Sequence, residues 1–137
     1  MSNTIVIGYI PSPEGDAAMG RAIREAIAHQ AKLVAVNVIH DDGSTIDNRY
    51  VQDDVSDELR KRLEESEIEF QMIKTEAPNV SDAILETAEK HNAETIVLGL
   101  RRRSRVGKLI LGSIAQRVLM DADTSVLVVR AEEEQDS

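Results

Sequence analysis

Residues 99–113 read Gly-Leu-Arg-Arg-Arg-Ser-Arg-Val-Gly-Lys-Leu-Ile-Leu-Gly-Ser. Before them stands an apolar run, Thr95, Ile96, Val97 and Leu98, with the look of a buried strand. After them Ile110, Leu111, Ile114, Ala115, Val118 and Leu119 recur at helical spacing. The stretch is therefore the turn of a strand–loop–helix unit. It holds five cations, Arg101, Arg102, Arg103, Arg105 and Lys108, in a chain whose formal net charge is −9. Like charges this close repel, so solvent, nearby carboxylates or a bound anion must offset them. The position favours an anion. A strand-to-helix turn offers backbone N–H groups and the positive end of a helix dipole, and Gly99, Gly107 and Gly112 let backbone approach a phosphate.

The same alternation extends through the rest of the chain. Residues 5–10 (Ile5, Val6, Ile7, Gly8, Tyr9, Ile10) form a continuous apolar run, as in a strand covered on both faces, and Pro11, Ser12 and Pro13 end it. A helix is expected over 14–29, with Ala18, Ala22, Ile23, Ala26 and Ile27 on one stripe. A strand over 33–39 precedes a polar, turn-rich loop at 40–50. Val55, Leu59 and Leu63 mark a helix over 51–66, and Ile68, Phe70 and Met72 a strand near the sheet edge. Asn79 is placed to cap the next helix, with Asp82 as its capping-box partner and Asn92 as a left-handed stop. Strands over 95–98 and 125–129 complete the set. Five strands alternating with four helices predict an open, doubly wound parallel sheet of the flavodoxin/Rossmann-like kind. In such sheets ligands lie beyond the carboxyl ends of the strands, where strand order reverses. The turn at Pro11-Ser12-Pro13 and the 99–113 segment should flank that crevice.

At 137 residues the chain is one domain, 1–130, with an acidic tail at 131–137. It lacks cysteine, which removes disulfides, thiol catalysis and cysteine zinc sites. His29, His40 and His91 have no metal-ligand spacing. No apolar stretch reaches the ~18 residues of a membrane span, and the N-terminus lacks a signal-peptide pattern, so a cytoplasmic protein is expected. The acidic balance and the scarcity of aromatics (Tyr9, Tyr50 and Phe70 only) argue against nucleic acid as a partner.

The basic loop is not a Walker motif, which would need glycine where Arg102 stands and Ser or Thr where Leu109 stands. It resembles instead the signature of the universal stress protein family: Gly, two residues, Gly, nine residues, Gly, then Ser or Thr. Gly99 fills the first place and Gly112-Ser113 the last two, while Arg102 replaces the middle glycine. The text around it, from T-I-V-L-G through K-L-I-L-G-S-I-A-Q-R-V-L to S-V-L-V-V-R, is similar as well, and the resemblance covers nearly the whole chain. It agrees with a strand order of 3-2-1-4-5. It implies a binding site for ATP or AMP, with Mg2+ accompanying ATP, built from Ile10, Pro11, Ser12, Val38, Leu98, Gly99, Arg101, Arg102, Arg103, Gly112 and Ser113. At Ile10 the nucleotide-binding members carry an aspartate. The resemblance further implies a homodimer through residues 125–129, in a stress-response regulator with no enzymatic activity.

Other readings remain open on the residues alone. Gly112 and Ser113 could serve close helix-to-sheet packing, and the arginines could make surface ion pairs. Val38 and Leu98 could be ordinary core. The chain could be a dimeric interaction module that binds no nucleotide. Hydrolysis would need a positioned base, for which only Glu14, Asp16 and Asp41 are near. RNA binding through R-R-R-S-R is opposed by the acidic remainder.

Overall fold

The computed structural model describes residues 3–40, 53–100 and 111–131. Nine elements alternate along them: β1 (Asn3–Gly8), α1 (Pro13–His29), β2 (Ala31–His40), α2 (Asp53–Glu65), β3 (Phe70–Ala77), α3 (Val80–Lys90), β4 (Thr95–Leu100), α4 (Ser113–Asp121) and β5 (Ser125–Arg130). The strands form one parallel sheet in the order β3-β2-β1-β4-β5, as expected. Of the loop predicted at 40–50, His40 instead ends β2, paired with Ala77, and 41–50 lie outside the described residues, as do the cations at 101–108.

Each face of the sheet buries its own core because side chains alternate along a strand. On one face Ile5, Ile7, Leu33, Ala35 and Val97 pack beneath α1 and α2 with Met19, Ile23, Leu59 and Leu63. On the other, Val6, Val34, Val36, Ile96 and Leu98 pack beneath α3 and α4 with Ile84, Ala88 and Val118. Val38 belongs to this second core. Burying one such Val, Leu, Ile or Met side chain is worth about 1.5–3 kcal/mol, so the central strands anchor the molecule.

Local chemistry sets the helix ends. Ser12 caps α1 in extended backbone, its Oγ accepting from the Gly15 N–H at 2.9 Å, and Pro13 opens the first turn. Glu14 and Asp16 meet the positive end of that helix. Asn79 caps α3 by accepting from the Asp82 N–H at 2.9 Å. The Asp82 side chain, expected to complete a capping box, instead accepts from Arg117 Nη2 at 3.2 Å across the α3–α4 boundary. Asn92 adopts the expected left-handed backbone, φ 53°.

Several expectations are corrected. β1 stops at Gly8 rather than Ile10, because the chain turns at Tyr9 toward the cap of α1. Ile27 is 54% exposed and not part of the buried stripe, which runs Gly15, Ala18, Met19, Ala22, Ile23, Ala26. β3 extends to Ala77, since its last four residues pair with Asn37 to His40 of β2. α4 begins at Ser113, so Leu111 precedes the helix.

Candidate functional site

The chain passes from β1 leftward to β2 and β3, then returns to lay β4 and β5 on the other side of β1. The reversal opens a crevice between the carboxyl ends of β1 and β4, the place where such sheets receive ligands. Two described segments border it: the turn from Tyr9 to Ser12 and the end of β4 at Gly99 and Leu100.

The β1 side is rigid. The Tyr9 N–H donates to the Val36 carbonyl at 2.9 Å, and the Tyr9 carbonyl accepts from the Asn37 amide Nδ2 at 2.9 Å. Its buried phenol donates to Asp16 Oδ1 at 2.9 Å. Burial first, then the bond to Asp16 and its negative charge, hold the Tyr9 phenol well above the ordinary value of 10.0. Ser12 is committed to the fold: its hydroxyl donates to the Ile10 carbonyl at 3.0 Å while accepting from Gly15. Pro11 is half-buried beside it. Ile10 is 38% exposed, so an apolar side chain stands at the lip of the crevice.

Gly99 is demanded by packing. A Cβ on it would lie 2.6 Å from the Glu14 carbonyl oxygen, so the first turn of α1 rests on the end of β4 because no side chain intervenes. Glu14 is half-buried there. Asp16 is exposed but takes the Tyr9 phenol. Val38 and Leu98 are both 4% exposed within the second core, which matches the core reading of these two positions.

The start of α4 is different in kind. Gly112 is its N-cap and makes no side-chain cap bond, and the first turn holds no acidic residue. A Cβ on Gly112 would meet nothing among the described residues within 4 Å. Close helix-to-sheet packing therefore does not explain this glycine. Its backbone, φ −68° and ψ 162°, is open to any residue. Gly112 and Ser113 are exposed at the positive end of the helix dipole, where the first-turn N–H groups have no partner within the helix. From Ser113 a groove of about 470 Å³ continues between Asn79 and Val80 of α3 and Ile114, Arg117 and Met120 of α4. Arg117 is already engaged by Asp82 and, at 2.8 Å, by Asp121. Arg101, Arg102 and Arg103, the remaining predicted site residues, lie outside the described residues. Among the described residues no cluster of three or more His, Asp or Glu is spaced to hold a metal. Nor is any helix among them long and apolar enough to cross a membrane.

Sequence reasoning placed Ser12, Gly99, Gly112 and Ser113 around one crevice; the structure joins the Ser12 turn to Gly99 through the first turn of α1, and sets Ser113 in the groove between α3 and α4. That reasoning missed Tyr9, Asn37 and Gly15, which fix the β1 turn. The signal for one of them was present: Asn37 is a buried amide in an otherwise apolar strand, and such a group needs a partner.

Comparison with known proteins agrees with this architecture. A universal stress protein from Mycolicibacterium smegmatis is 32% identical over 126 residues, covering 92% of this chain and 96% of that one. A universal stress protein solved in complex with cAMP superposes with a TM-score of 0.71 at 22% identity, over 96% of this chain and 98% of that chain. Another, from Archaeoglobus fulgidus in complex with dAMP, gives 0.64 at 18% identity, over 94% and 98%. The model of the universal stress protein family matches residues 1–130. With its sheet order, its crevice and these matches in agreement, the chain belongs to the universal stress protein family.

Proposed function

We propose that this protein is an adenine-nucleotide-binding regulator of the stress response, taking AMP or ATP at the crevice between β1 and β4. The observation that carries the reading is the bare N-terminus of α4. Among the described residues this helix starts on an exposed glycine with no side-chain cap, no acidic first turn and no packing contact for that glycine, an arrangement that favours donors kept for an external anion. The phosphates would rest on the Gly112 and Ser113 N–H groups and the Ser113 hydroxyl, with the arginines at 101–103 supplying charge and Mg2+ accompanying ATP. The base and sugar would lie toward Ile10, Pro11, Ser12 and Gly99. Val38 and Leu98 would stiffen the floor from within the core. Solved relatives holding cAMP and dAMP support this class of ligand. No catalytic step is assigned; binding would act by stabilising one conformation or one set of partner contacts.

Ile10 and Arg102 stand where nucleotide-binding members carry aspartate and glycine. The reading therefore predicts an affinity that depends on phosphate contacts more than on the sugar. Titration calorimetry with ATP, AMP and cAMP tests it. Ser113→Ala, at an exposed position that leaves the fold intact, should weaken AMP binding about tenfold, the worth of a hydrogen bond to a charged group. Equal affinity in parent and variant removes Ser113 from the site, and no heat at millimolar nucleotide removes the reading.

A second reading, a homodimeric interaction module, is favoured by β5. This edge strand leaves Val126, Leu127, Val128 and Val129 only half-covered, an unusual apolar margin for a strand with one free side.

A further inference from the structure

The turn from Tyr9 to Pro13, which borders the crevice on the β1 side, keeps its hydrogen-bonding side chains engaged within the fold. The Tyr9 phenol lies in the core beneath α1 and donates to Asp16 Oδ1 at 2.9 Å. The Ser12 hydroxyl donates to the Ile10 carbonyl at 3.0 Å and accepts from the Gly15 N–H at 2.9 Å, so releasing it to a ligand would uncap α1. The Tyr9 N–H and carbonyl are taken by the Val36 carbonyl and by Asn37 Nδ2. Pro11 and Pro13 have no N–H to give. The side chains left to meet a ligand are apolar: Ile10, which is 38% exposed, Pro11 and Pro13. The surroundings are apolar as well. Two residues before Ile10, a Cβ on Gly8 would meet Ile84 Cδ1 at 2.8 Å and Leu98 Cδ2 at 3.2 Å, and across the crevice Leu98 and Leu100 of β4 are buried.

We propose that Ile10 sets the sugar specificity of the site, making it indifferent to the 2′-hydroxyl so that it takes ribonucleotides and 2′-deoxyribonucleotides alike. The proposal rests on the nucleotide reading, which lays the sugar toward this turn. A site discriminates strongly for a hydroxyl when one of its own polar groups is left without a partner in the analogue that lacks it. Here the side chains beside the sugar hold no such group, so a deoxy sugar orphans nothing. A ribose hydroxyl is not penalised either. Ile10 stands at an open lip rather than in a closed pocket, and a hydroxyl resting there keeps its water. The sugar therefore contributes apolar contact alone, equal for both ligands, and the remaining affinity comes from other parts of the nucleotide.

The test is titration calorimetry of the full chain with AMP and with dAMP, repeated on Ile10→Asn. That substitution puts a neutral amide, both donor and acceptor, at an exposed position beyond the end of β1, where the core is not disturbed. The parent should bind AMP and dAMP within about threefold of each other, and the variant should favour AMP about fivefold over the parent's ratio, the worth of one hydrogen bond between neutral groups. A parent that prefers AMP by more than about threefold overturns the proposal while leaving the nucleotide reading in place, because some group then reads the hydroxyl. Equal binding in the parent with no preference gained in Ile10→Asn overturns it too, since the sugar then lies away from this residue. A parent that binds neither ligand at millimolar concentration refutes the nucleotide reading and this proposal with it.

Discussion

Gly15 and Gly99 are required by packing, whereas Gly112 meets no described atom. A side chain at Gly15 would run into the Ile10 carbonyl and one at Gly99 into that of Glu14. Gly99→Ala should therefore cost about 1–3 kcal/mol in denaturant titration, the usual penalty of forcing atoms into a filled space. Gly112→Asp should do the reverse. It caps α4 and puts a carboxylate on the dipole, adding about 0.3–1 kcal/mol of stability, while repelling phosphate and abolishing nucleotide binding. A variant at Gly112 that melts earlier than the parent would show that the glycine is structural after all. Tyr9 gives a pH test. Its phenol keeps its proton more tightly in the folded chain than in the unfolded one, whose value is near 10.0. That contribution is complete below pH 10 and drains away as the pH rises past it toward the higher folded value. Tyr9→Phe should lose about 1 kcal/mol at neutral pH through the missing bond to Asp16. Its stability should also fall less steeply above pH 10; parallel alkaline curves for the two proteins would discount the linkage.

At the scale of elements, what the sequence made legible follows from how local each signal is. The cap at Asn79 depends on a residue three positions away and forms as read, and Ser12 caps α1 by a bond of the same short range. The apolar runs of β1, β2 and β4 identify strands buried on both faces, and the 99–113 pattern places the last crossover. Other features depend on partners distant in sequence. Ile10 belongs to an apolar run but leaves the sheet, because Tyr9 is drawn to β2 by Asn37, 28 residues away. The end of β3 is polar, and its strand character comes from pairing with β2 rather than from its own pattern. Asp82 forsakes its own helix for Arg117, 35 residues on. The same dependence on tertiary packing makes α2 testable. Its residues are mostly charged, and it is held to the sheet by Leu59 and Leu63. Leu63→Ala should cost about 2–5 kcal/mol. Met120→Ala, at a position 82% exposed on α4, should stay within about 0.5 kcal/mol. Similar losses at the two sites in urea titrations would contradict the packing described.

For the whole molecule, the two margins of the sheet differ. β5 presents its apolar valines and Leu127, whereas β3 exposes Gln71, Lys74 and Glu76 along its length. If copies associate, β5 is where they should do so, and sedimentation should report twice the 15.1 kDa of one chain. Val128→Lys, which places a charge on that margin, should return the protein to a single copy with its fold intact. A dimer that survives the lysine would need another surface. The contrast between the margins also limits growth. If two β5 strands joined, they would cover the more apolar sheet border among the described residues and leave the more polar β3 border outward. Such an assembly closes on itself as a pair, and the same sheet with two apolar borders would instead be free to extend into a fibre.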